Sequence, residues 1–122
     1  VMGLQVTDTT PLDVTDGIYF QKDDGDANVD FYISKDATTG RSMTTAATTV
    51  TTDTFLELAF YFNGKRYVTL WKDRLQVGIV DLTTTLTTYL PDTELTISFG
   101  VQNGEAVAKT MTVDYIFAAQ ER

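Results

Sequence analysis

Thr54–Trp71 reads TFLELAFYFNGKRYVTLW. Two alternating runs flank Asn63-Gly64. In the first, Leu56, Leu58, Phe60 and Phe62 fall on one side, with Glu57, Ala59 and Tyr61 on the other. A period of two sends successive side chains to opposite faces, so this is the pattern of a strand with one buried and one wet face. Asn-Gly between two such runs is a strong hairpin signal, because a type I′ turn needs positive φ at both central residues. The stretch therefore predicts two adjacent antiparallel strands.

The same grammar extends outward in both directions. Upstream, Val1–Val6 reads as a strand, followed by a polar Thr/Asp loop containing Pro11. Gly17–Lys22 (GIYFQK) places Ile18 and Phe20 on one face. Asn28–Lys35 (NVDFYISK) alternates Val29, Phe31 and Ile33 against Asp30, Tyr32 and Ser34. Asp36–Ser42 is a loop, and the Thr/Ala run Met43–Thr52 is a weak strand. Downstream, Lys72-Asp73 separates YVTLW from LQVGIV, and a Thr-rich connection closes at Pro91-Asp92. A second Asn-Gly, Asn103-Gly104, divides ELTISFGVQ from AVAKTMTVDYIF. No segment holds a 3.6-residue period over ten positions. Thr supplies about a fifth of the chain, and β-branched and aromatic residues fill the apolar runs. Eight or nine strands in successive hairpins predict an all-β antiparallel sandwich or jelly roll, with residues 1–122 as one domain.

The totals narrow the chemistry. With 43% hydrophobic and 21% charged residues the composition is globular. Lys and Arg number 9 against 17 Asp and Glu, a net charge of −8. That sign repels phosphate backbones and anionic lipid, so no nucleic-acid or membrane partner is expected. No run of 18 apolar residues would form a spanning helix, and no basic-apolar-small opening marks a signal peptide. The chain has neither His nor Cys. It thus lacks the commonest general base, the thiolate nucleophile and the usual transition-metal ligands. No cofactor is expected.

Three candidate sites arise from the residues. The first is QKDDGDANVD, Gln21–Asp30, where Asp24, Asp26 and Asn28 have the spacing of the first three ligands of an EF-hand loop. The sixth position is then Val29 instead of Gly, and the twelfth is Lys35 instead of Glu. Asp24-Gly25 is a turn signal in its own right. The expected reading is a hairpin turn, with these three residues as weak metal candidates. The second is a catalytic carboxylate pair. Its four Glu, at 57, 94, 105 and 121, include none with an acid two positions away on a strand; Asp92 precedes Glu94 in a loop. Asp30 and Asp114 lie on strand-like runs and are expected to face water. An enzyme is therefore not expected, and no catalytic residue is assigned. The third is an aromatic set, Tyr61, Tyr67 and Trp71, which falls on the wet face of adjacent strands. Such a set suits a protein interface or, as the alternative, sugar stacking.

Several strings, DGIYFQKDDGDANVDFYISKD, FLELAFYFNGK, LPD and GVQNGEAVAKTMTVDYI, resemble virion proteins of tailed bacteriophages. Those proteins carry a concanavalin A-like jelly roll and act as head decoration or cement proteins. The resemblance runs from about Asp16 to Ile116 and rests on turns and core strands. It implies a non-enzymatic structural protein on the capsid exterior, with the major capsid protein as partner. Positions at symmetry points imply a closed homo-oligomer, a trimer. A carbohydrate-binding module on a virion surface or tail is the alternative on the same fold. In the proteins resembled, further strands precede the GL…DGIYF region, so the resemblance also implies an N-terminally truncated piece of a larger sandwich. The related jelly-roll glucanases carry a Glu-x-Asp-x-x-Glu strand that has no counterpart here.

Overall fold

The computed structural model describes residues 1–7, 10, 12–37 and 42–120, with the backbone alone for 42–46. Pro11, residues 38–41 of the predicted loop and Glu121 lie outside the described residues. The fold is an antiparallel β-sandwich of two sheets. The larger sheet contains β1 (Met2–Gln5), β2 (Gly17–Gln21), β3 (Asn28–Ser34), β4 (Ser42–Thr49) and β8 (Thr96–Phe99), in the order β4-β3-β2-β1-β8. The smaller contains β5 (Leu58–Phe62), β6 (Tyr67–Lys72) and β7 (Leu75–Asp81), in that order. Two hairpin series, β1 to β4 and β5 to β7, account for most of the pairing. β8 then returns to pair with β1, Leu4 opposite Ile97.

The alternations read from the sequence set the two faces. Ile18 sits opposite Ile33 and Phe20 opposite Phe31, and all four are buried. From the other sheet Val68 and Leu70 meet them, each fully buried. The rings of Phe20, Phe31 and Phe60 form a tilted triad, with centroids 5.1 to 6.1 Å apart. Tilted ring packing of this kind adds to the burial of apolar area that drives the two sheets together. One helical turn, α1 (Leu86–Tyr89), interrupts the Thr-rich connection. Leu86, Tyr89, Leu90 and Leu95 pack their apolar sides against the core, beside fully buried Leu82.

Four details differ from the sequence reading. First, the strand expected over Thr54–Phe62 begins at Leu58. Lys72, the last residue of β6, lies opposite Leu58, so the residues before it have no ladder partner in β6. Glu57 instead meets the next turn: Asp73 N donates to its carbonyl, and its own N–H donates to Asp73 Oδ1. Second, that turn is Asp73-Arg74, one residue later than expected, and both residues take positive φ (48° and 67°). Third, Asn63-Gly64 opens a wider loop. Gly64 has φ 71°, while Asn63 Oδ1 accepts from the amides of Lys65, Arg66 and Tyr67, each at 3.0 Å.

The fourth difference is larger. The expected strand AVAKTMTVDYIF is not a strand, and no hairpin forms at Asn103-Gly104. Neither residue takes the positive φ that a type I′ turn needs. Asn103 Oδ1 instead accepts from Lys109 N, and Glu105 pairs with Lys109 across the resulting loop at 3.7 Å. Gly104 is pressed against Asp24, whose Oδ2 lies 2.7 Å from where a Cβ would stand.

Candidate functional site

The outward face of the small sheet gathers the predicted aromatic set. Val68 and Leu70 of β6 point inward, so Tyr67, Thr69 and Trp71 point outward. On β5, Phe60 points inward and Ala59 and Tyr61 outward. Tyr61 sits opposite Thr69, and Ala59 opposite Trp71. Tyr61 is therefore diagonal to both Tyr67 and Trp71, a spacing of about 7–8 Å that aromatic side chains can bridge. On the far side of Thr69 stands Ile79 of β7, 58% exposed. Tyr61 is 43% exposed; Tyr67 and Trp71 are half-buried. Thr69 thus lies at the centre of a surface walled by three aromatic rings and one isoleucine.

Charged groups rim this face. The Arg66 guanidinium lies 4.6 Å from the centroid of the Tyr67 ring, a cation–π contact. Arg74 Nε is 3.5 Å from Glu57 Oε2. The Tyr115 hydroxyl also donates to Glu57, and that bond holds its pKa above the ordinary tyrosine value. At the other end Asp81 accepts from the hydroxyl and the amide of Thr83, which lowers its pKa. An apolar, partly aromatic centre within a polar rim is the layout of a protein-binding patch.

The other sequence candidates occupy different places. Asp24, Asp26 and Asn28 lie in the β2–β3 connection, as expected of a hairpin turn; Gly25 has φ 74°. Asp26 Oδ1 accepts from Asn28 N at 2.9 Å, and Asn28 Oδ1 accepts from the Thr49 hydroxyl at 3.0 Å. These two oxygens brace the turn and tie it to β4. Among the described residues no group of three or more Asp, Glu, His or Cys is placed to hold a metal ion. Asp30 lies opposite Gln21 on the outward face of the large sheet. Asp92 is bound to Lys35 at 2.7 Å, which lowers the Asp92 pKa and raises that of Lys35.

The structure adds residues that the sequence reading did not single out. Ile79 and Arg66 complete the aromatic face. Ile79 lies in LQVGIV, read as the strand paired after Lys72-Asp73 with no face assigned, and its outward direction becomes legible once Val80 is known to be buried. No protein family, curated protein or solved structure matches this chain.

Proposed function

We propose that the protein is a non-enzymatic structural component of a phage virion, a decoration or cement protein that binds the exterior of the capsid shell. The aromatic face of the small sheet carries the reading. Tyr61, Tyr67, Trp71 and Ile79 form a rigid apolar platform on paired strands, and the platform is rimmed by Arg66, Arg74 and Glu57. Large, stiff side chains of this kind anchor protein interfaces at small entropic cost. The resemblance to concanavalin A-like head proteins supports the same role, with the major capsid protein as partner and a closed homo-oligomer, a trimer, at a symmetry position. A β-sandwich free of Cys and His suits it, since neither redox state nor pH near neutrality changes its charge.

The aromatic spacing also favours one other reading. Rings diagonal across two strands suit stacking on sugar faces, so a carbohydrate-binding module on a virion surface or tail is the second proposal. Co-sedimentation with capsids and a glycan array separate the two. The cement reading predicts capsid binding, presence in purified virions and a blank array. Glycan signal with quenching of Trp71 fluorescence, and no capsid binding, overturns it in favour of the second.

A further inference from the structure

Five strands face three. Phe60 packs on Phe20 and Phe31, which sets β5 over β2 and β3, while β7 approaches β4 at the opposite side. In the order of the large sheet, β1 and β8 lie beyond β2. Their inward side chains are Met2 and Leu4, opposite Phe99 and Ile97. Phe99 and Ile97 are each 52% exposed, whereas Ser98, on the outward side of β8, is half-buried. The apolar inward face of this strand is thus wet. The result is an apolar shelf beside β5. Among the described residues β5 pairs with β6 alone, and its inward Leu58, Phe60 and Phe62 are half-buried.

The chain holds a segment that fits this shelf. Met111–Phe117 alternates Met111, Val113, Tyr115 and Phe117 with Thr112, Asp114 and Ile116. It lies outside both sheets, with Val113 40%, Tyr115 62% and Phe117 82% exposed. Its position is already close. Tyr115 bonds Glu57, the residue immediately before β5. Gly100, where the segment's tether leaves β8, is fixed by bonds to both the N–H and C=O sides of Val1. Ten residues of tether reach roughly 33 Å at most, well beyond the about 10 Å between packed sheets.

We propose that Met111–Phe117 is a closing strand, which adds to the open edge of β5 and turns Met111, Val113, Tyr115 and Phe117 onto Ile97 and Phe99. Closure pairs the backbone groups that Leu58, Phe60 and Phe62 turn away from β6 and covers the shelf in one move, and it removes an exposed edge that would otherwise recruit other chains. Thr112, Asp114 and Ile116 then face outward. The proposal stands independently of the virion role.

Hydrogen exchange on the intact chain tests it. Amides of 111–117 are expected to exchange slowly, together with those of 58–62. The double variant Val113→Asp/Phe117→Asp should release both sets while Phe31 and Leu70 stay protected. Thr112→Asp, on the side turned to water, should leave protection in place. Free exchange at 111–117 in the unsubstituted chain overturns the proposal. Protection that grows only with concentration, alongside a dimer in sedimentation, overturns it too, since the shelf would then belong to a second copy.

Discussion

Asn63 shows how one side chain can shape a connection. Its carboxamide oxygen takes three consecutive amides, Lys65 to Tyr67, that would otherwise need water. Asn63→Ala is expected to cost about 1–2 kcal/mol, given the usual net worth of such bonds; a urea midpoint equal to the parent's would contradict this. Gly3 matters for the opposite reason, a close approach. A Cβ there would stand 2.4 Å from the Ile18 carbonyl oxygen and 2.6 Å from Tyr19 Cα, both backbone. Gly3→Ala should destabilise by about 1–3 kcal/mol as the β1–β2 pair is pushed apart, which thermal melting would show. Lys35 and Asp92 set a pH window. The Lys35–Asp92 hydrogen bond holds the carboxyl below its ordinary pKa and the ammonium above its own. The carboxylate's share of stability is present above its unfolded pKa and is lost as pH falls through the lowered folded value. The lysine's share is present below its unfolded pKa and is lost as pH rises through the raised one. The pair therefore contributes from about pH 4 to about pH 10. Lys35→Met should move the Asp92 carboxyl titration, followed by NMR, upward; an unmoved midpoint would show the contact to be absent in solution.

At the scale of elements, the strands are held by side chains that the alternation identified. Phe31 is fully buried between Phe20 and Phe60. Phe31→Ala is expected to cost about 3–5 kcal/mol through lost contacts and the cavity left behind. A stability change under about 1 kcal/mol in a denaturant titration would mean that the two sheets do not meet there. This core was legible in the sequence because a strand with one wet face declares both faces, as Val29, Phe31 and Ile33 do against Asp30, Tyr32 and Ser34. The aromatic set Tyr61, Tyr67 and Trp71 was legible for the same reason, since each occupies a polar-face position. What alternation cannot express is whether a partner strand is there to pair with. Thr54–Glu57 has the right pattern, but β6 turns away at Lys72. Met111–Phe117 has the right pattern as well, yet its Asn-Gly is engaged with Lys109 and Asp24 instead of forming a tight turn. The turn at Asp73-Arg74 was off by one because two non-glycine residues take positive φ there, which sequence preference disfavours.

For the whole molecule, the unequal sheets leave two apolar surfaces of different character. One is the shelf over β1 and β8, which the chain's own C-terminal segment fits. The other is the aromatic face of the small sheet, rigid and rimmed by charge, which fits an external partner. A net charge of −8 gives long-range repulsion against other acidic surfaces, so docking must come from local shape and apolar contact on that face. The role proposed here therefore predicts that function resides in Tyr61 and Trp71 and not in any carboxylate. Co-sedimentation of the purified protein with capsid shells lacking it, comparing the parent with Tyr61→Ala/Trp71→Ala, tests this most directly. The account predicts saturable binding by the parent and its loss in the folded double variant; equal binding by both, or none by the parent, would contradict it.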